Sequence, residues 1–278
     1  MLNTTIGAYR ASVLSTVLLT TLSLTVTATE VEKEEARSEK FISDAVGPGD
    51  SDSKWVLGAY TGSITSPYEG EGVKGFLIPS IEYRGEYFFV SDGNVGFNLF
   101  RHQGLSTGVF LTVDGSLLAD EEDYEDNDLL DGLEERDATL NAGIYLKHTT
   151  PLGQLRVAVH DEVTGEHDGQ SAIVDYTFDF KYKNVNINPV VGLAWNSADT
   201  VNHDFGISTK EATNDRKEYK GTSSVSVYTG VRARYDITEH WDVDVGVGVV
   251  KLGSGIKDSS IVEKDTLFIS AVGVNYNF

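Results

Sequence analysis

The segment Trp241–Lys251 reads WDVDVGVGVVK. Trp241, Val243, Val245, Val247 and Val249 share one face, and Asp242, Asp244, Gly246 and Gly248 share the other. A period of two is that of a β-strand, whose successive side chains point to opposite sides. The end of the sequence repeats the pattern. Phe268, Val272, Val274, Tyr276 and Phe278 oppose Ala271, Gly273, Asn275 and Asn277. In 172–182, Ala172, Val174, Tyr176, Phe178, Phe180 and Tyr182 oppose Asp175, Thr177, Asp179 and Lys181. In 225–235, Val225, Val227, Thr229, Val231, Ala233 and Tyr235 oppose Ser226, Tyr228, Gly230, Arg232 and Arg234. These runs reach about 10 residues, enough for a tilted strand to cross a bilayer, against about 5 to 6 in ordinary sheets. Glycine and charge fill the polar faces, and aromatics gather near strand ends on the apolar faces, as in a girdled barrel.

Twelve strands are predicted, near 54–62, 73–84, 86–91, 93–101, 104–115, 137–149, 153–163, 170–182, 184–196, 222–235, 240–251 and 265–278. Connections after the even-numbered strands are short. Those after the odd-numbered strands are mostly long, at 63–72, 116–136, 164–169, 197–221 and 252–264, with only the one near Asp92 short. Short periplasmic turns and long external loops are the outer-membrane arrangement. Past the N-terminal region no stretch approaches about 18 uninterrupted apolar residues, so membrane residence requires a closed barrel. The expected fold is therefore all-β: a transmembrane antiparallel up-and-down barrel over 54–278, located in the outer membrane of a Gram-negative cell and in contact with its lipid and lipopolysaccharide.

The N-terminus reads as a signal peptide over 1–28. Arg10 supplies the positive n-region, Ala11–Val26 the apolar stretch, and Val26-Thr27-Ala28 the small residues of a cleavage site. Residues 29–53 are charged and aperiodic, with Gly47-Pro48-Gly49, and read as a flexible periplasmic tether. The formal net charge is −21, from 43 acidic and 22 basic residues, which argues against binding nucleic acid phosphates. With no cysteine, disulfides, thiolate metal sites and thiol nucleophiles are excluded.

A turn centred on Ile237-Thr238 would set Arg234 against Asp242 and Arg232 against Asp244 on the lumen face, and Tyr235 against Trp241 on the lipid face. Such cross-strand pairs are worth about 0.2–1 kcal/mol each. With Asp175, Asp179 and Lys181, these charges are expected to line the lumen, as structural pairs or as pore walls. Other motifs carry less chemistry. His160-Asp161, His167-Asp168 and His203-Asp204 stand near outer loops, but neighbours in a strand face opposite ways, so no dipeptide is itself a dyad. Gly104-Leu105-Ser106-Thr107-Gly108 spells G-x-S-x-G but falls within the strand predicted over 104–115 and not at a strand-to-helix elbow, and there is no H-E-x-x-H zinc motif. The segment Asp120–Asp137 holds eleven acidic residues, but its spacing does not match a calcium loop, and a solvated loop is the expectation ahead of weak divalent binding. No enzyme activity, cofactor or metal is expected.

HDFGISTKEAT, His203–Thr213, followed by Tyr219-Lys220-Gly221, resembles a segment of the MipA/OmpV family (MltA-interacting protein). The stretch from Val231 to Phe278, with its "HW" turn, glycine-rich strand and final Phe, is similar to that family's ending, and Pro67-Tyr68-Glu69-Gly70 to one of its loops. Phe205 stands for a usual Tyr, Ser260 for a usual Pro, and the acidic loop looks inserted. The resemblance implies an outer-membrane barrel. For some members it implies a scaffold for a murein-cleaving lytic transglycosylase and a murein-synthesising penicillin-binding protein, and it carries no catalytic residues. A narrow solute channel, or an adhesin or receptor acting through the long loops, stays open beside the scaffold.

Overall fold

The computed structural model describes residues 55–91, 93–114, 127, 130–134 and 136–278. The signal peptide, the tether and most of the acidic loop fall outside the described residues. The strands are β1 (Trp55–Thr65), β2 (Val73–Arg84), β3 (Phe88–Ser91), β4 (Asn94–His102), β5 (Leu105–Asp114), β6 (Thr139–Thr150), β7 (Gly153–Glu162), β8 (Gln170–Phe178), β9 (Phe180–Tyr182), β10 (Val185–Asn196), β11 (Ser224–Asp236), β12 (Trp241–Lys251) and β13 (Thr266–Asn277). Each pairs antiparallel with its neighbours. β13 pairs back to β1, from Val56↔Asn277 to Ile64↔Ile269, and closes the barrel. β8 and β9 occupy one position in the wall, so the thirteen segments make a twelve-strand barrel.

Pro189 accounts for that interruption. Val190 turns its carbonyl to β11, where it accepts from Thr229 Oγ1 at 2.8 Å, so Pro189 turns its nitrogen to β8. A proline nitrogen has no proton to give the ladder. The strand predicted over 170–182 breaks at Asp179, and Asn188 Nδ2 covers the Phe178 carbonyl at 3.1 Å.

The β11–β12 register differs from the sequence expectation by two residues. Arg234 lies opposite Asp244, Arg232 opposite Gly246 and Tyr235 opposite Val243. Thr238 causes the shift. Its Oγ1 accepts from His240 N at 3.2 Å and Trp241 N at 3.0 Å, which widens the turn to Ile237–His240. An even shift leaves every side chain on its expected face.

The outside of the wall is apolar: Leu57, Leu77, Leu111, Ile144, Val191, Val227, Val245 and Val272 are all exposed. At the short-turn end runs a chain of rings, Trp55–Tyr83, Tyr83–Phe88 and Phe88–Phe97, with centroids 4.7, 5.9 and 5.4 Å apart. Trp241, Tyr276 and Phe278 continue it at 5.0 and 4.8 Å. Such rings suit the boundary between lipid and water.

At the opposite end the long loops fold onto one another. They carry two helices, α1 (Ala198–Phe205) and α2 (Ser254–Lys257). Ser197 caps α1, accepting from Thr200 N. Tyr68 and Phe205 stack with ring centroids 5.7 Å apart and, with Leu130, Leu133, Val201, Ile207, Ile256 and Ile261, form an apolar layer continuous with Ile64, Ile78 and Ile269 inside the wall.

Candidate functional site

The features that bear on function are the inside of the barrel, the cap over its long-loop end, and the face made by its short turns. Inside, β1, β11, β12 and β13 aim polar side chains at one point. Asp244, fully buried, accepts from Tyr60 Oη at 2.8 Å, Arg232 Nε at 2.8 Å, Arg234 Nε at 3.2 Å and Asn275 Nδ2 at 2.6 Å, and pairs also with Arg232 Nη2. Asp242 accepts from Asn275 at 2.7 Å and Asn277 at 2.7 Å, and Arg234 Nε lies 3.5 Å from its Oδ1. The expected contact between Arg232 and Asp244 therefore forms, but as a diagonal across the ladder. A buried charge is tolerable only when paired and hydrogen-bonded, which this network achieves for both carboxylates. Gly273 makes room for it, because a Cβ there would overlap the Tyr60 ring.

A second cluster sits on the neighbouring wall. Arg156 donates to Asp175 Oδ2 from Nε at 2.8 Å and Nη2 at 2.6 Å, and Tyr228 Oη donates to the same oxygen at 3.0 Å. Asp179 and Lys181 are placed differently from these buried side chains. Both are exposed at the short-turn end, beyond the break in the β8–β9 wall, where Asp179 accepts from Asn188 at 3.2 Å. The pattern of alternation located Asp175, Arg232, Arg234, Asp242 and Asp244. It also set Tyr228, Asn275 and Asn277 on the polar faces but gave them no part in the charge pairs, and it did not single out Tyr60 or Arg156.

The cap has its own hub in Glu211. Its carboxylate accepts from Ser208 N at 2.7 Å, Glu134 N at 3.0 Å and Arg136 Nη2 at 3.0 Å. Burial raises the pKa of this carboxyl, but the two amides, the Ser208 hydroxyl and the Arg136 charge outweigh it and hold the group below the usual carboxylate range. Arg136 also donates to Gly206 O at 3.0 Å, and Arg216 to Asp131 O at 3.0 Å. Asn202 and Gly221 exchange bonds of 2.7 and 3.2 Å, and Tyr219 Oη donates to Gly255 O at 2.9 Å. Glu69 N donates to Ile261 O at 3.0 Å, so loops 66–72, 206–221 and 252–265, with residues 131, 134 and 136, are tied into one lid.

Of the three His-Asp dipeptides, His160 is buried and Asp161 exposed, as strand geometry demands. His167 and His203, from different loops, stack with centroids 4.6 Å apart. Burial and the neighbouring His203 lower the pKa of His167. Among the described residues no group of three or more His, Asp or Glu side chains is arranged to hold a metal.

A closed barrel with an apolar exterior, an aromatic girdle, short turns at one end and a loop lid at the other defines an integral outer-membrane β-barrel. The MltA-interacting protein MipA family matches residues 57–278, and the chain belongs to that family. MltA-interacting protein of Escherichia coli (strain K12) is 25% identical over 86% of this chain and 96% of its own length. Outer membrane protein Omp26La of Vibrio anguillarum is 26% identical over 79% of each chain. Outer membrane protein OmpV of Vibrio cholerae serotype O1 is 26% identical over 70% of this chain and 76% of its own. The protein resides in the outer membrane, and its relatives bear the names of interacting or outer-membrane proteins rather than of enzymes.

Proposed function

We propose that this barrel is a non-enzymatic scaffold of the cell envelope, holding a murein-cleaving lytic transglycosylase and a murein-synthesising penicillin-binding protein at its periplasmic face. The observation that carries this reading is the match to relatives named for interaction with MltA, along nearly their whole length. The interior supports it. Carboxylates at Asp175, Asp242 and Asp244 are engaged by guanidinium and amide groups, which suits a structural role for these charges better than a pore wall or a catalytic one. A packed lid over the long-loop end counts against an axial solute channel. What is left for recognition on the inner side is the set of short turns at 85–87, 103–104, 151–152, 183–184 and 237–240, together with the 29–53 segment.

The test is retention of envelope proteins on the folded, detergent-purified barrel, identified by mass spectrometry. Recovery of a lytic transglycosylase or penicillin-binding protein, lost on deleting 29–53 or altering the short turns, is the expected result. Retention of no murein enzyme, or retention unchanged by both alterations, would sink the proposal. Silent planar bilayers are expected alongside, and steady single-channel conductance would favour the solute channel instead.

A further inference from the structure

Acidic residues outnumber basic ones by 43 to 22 in this chain, yet two of its hairpins reverse the balance. Residues 93–113, which hold β4 and nearly all of β5, contain no Asp or Glu. Neither do residues 138–160, which hold β6 and most of β7. The Lys and Arg side chains of these two stretches are Arg101, Lys147 and Arg156, and all three lie toward the short-turn end.

Register puts the three on one rung of the sheet. Arg101 lies opposite Ser106, Ser106 opposite Lys147, Lys147 opposite Arg156, and Arg156 opposite Asp175. Residues directly opposite one another share a face. Arg156 and Asp175 are buried inside the barrel, so this face is the lumen's. Arg101 returns to it after the irregularity between Asn98 and Phe100, and its charge is felt at the Tyr145 hydroxyl. Lys147 Nζ stands 5.5 Å from the centroid of the same Tyr145 ring. The adjoining rungs, Gly108–Tyr145–Ala158 on one side and Thr149–Gln154–Thr177 on the other, carry no charge.

Three cations on this rung therefore share one carboxylate. Like charges directly opposite one another destabilise a sheet, and Lys147 and Arg156 are such a pair. Asp175 is engaged by Nε and Nη2 of Arg156. Arg101 is exposed and makes no ion pair or hydrogen bond among the described residues, and Ser106 and Lys147 beside it are half-buried. Neighbouring strands lie about 4.8 Å apart, so Arg101 and Lys147 leave the wall about 10 Å from each other, with the Ser106 hydroxyl between them. A guanidinium fork, a hydroxyl and an ammonium over that span suit one carboxylate or phosphate group. Anionic lipid headgroups do not account for the arrangement, because the outward-facing residues of the same strand ends are Phe100, His102, Leu105 and His148.

We infer that Arg101, Ser106 and Lys147 form an anion site just inside the periplasmic mouth of the barrel, taking a carboxylate or phosphate group of a periplasmic solute or polymer. The lid lies over the opposite end, so the ligand enters and leaves past the short turns. The site stands whether or not murein enzymes dock on those turns.

The whole protein in phosphatidylcholine nanodiscs is titrated calorimetrically with inorganic phosphate and, separately, with tri-glutamate. Expected is saturable binding of at least one probe, weakened at least about tenfold by Arg101→Gln and by Lys147→Gln. Arg101→Lys keeps the charge but loses the fork, and should cost only about threefold. Tighter binding of phosphate assigns the site to phosphorylated ligands, and tighter binding of the peptide to carboxylate-bearing ones. Lys183→Gln removes an exposed cation from another short turn and should leave both affinities unchanged. Lys147→Gln also relieves the repulsion on the rung. Without ligand its urea midpoint should not fall below that of the wild type, and the bound probe should no longer raise it. Binding of neither probe, or a loss on Lys183→Gln as large as that on Arg101→Gln, would overturn the site, the second outcome marking a diffuse field of surface charge.

Discussion

Glu211 Oε1 and Arg136 Nη2 lie 3.0 Å apart, and this ion pair joins two outer loops 75 residues apart in sequence. Glu211→Gln keeps the shape but loses the charge, and should weaken the lid by about 1.5–3 kcal/mol, the range for hydrogen bonds to a charged group. Faster proteolysis within 130–137 and 206–219, with the strands intact, is the expected readout. The carboxyl titrates below its ordinary 4.5 in the folded state. Its contribution is therefore full above that value and lost as pH falls through the lower folded one. The wild-type lid should loosen in that acid window, and Glu211→Gln should lose this part of the dependence.

Arg232 and Asp244 test the interior. Arg232→Ala leaves a fully buried carboxylate short of its main partner and should cost about 3–5 kcal/mol. The double change Arg232→Met with Asp244→Asn removes both charges and should recover much of that loss. Equilibrium unfolding in urea from lipid vesicles measures both. If the double variant is no more stable than the single one, charge pairing is not what holds this wall.

His167 and His203 predict a second response to acid. The folded pKa of His167 lies below 6.5 because of burial first and the neighbouring imidazole second. Stability from this contact is present above 6.5 and falls as the pH drops through the folded value. Protection of the amides in 163–169, taken relative to their intrinsic exchange at each pH, should fall between pH 7.5 and 5. His203→Ala should flatten the change, and an unaltered pH profile in that variant would rule the pair out as its source.

The alternating patterns at 225–235, 241–251 and 268–278 made twelve strands, their faces and their short and long connections legible, because a period of two reports directly which side each residue faces. Register was harder to read. The side chain of Thr238 lengthened a turn by local hydrogen bonds that hydrophobic pattern does not encode. Pro189 stood in the sequence as the cause of the break at Asp179, but only the pairing of β10 with both neighbours shows which way its nitrogen points. The lid was written as loops of given length. Its hub, Glu211, lay within a recognised motif, yet its partners Glu134 and Arg136 come from a distant loop, and such meetings are invisible to local spacing. His167 and His203 met for the same reason.

The seam between β1 and β13 also sets an order in time. Val56 finds Asn277, and Trp55 accepts from Phe278 N at 3.1 Å, only after everything between them has been made and delivered. Until then the sheet has two raw edges, each a template for wrong partners. Contacts so distant along the chain form slowly. The cell must therefore carry this polypeptide across the periplasm unfinished and escorted. A lesion in β13 should cost the whole assembly rather than one strand of it.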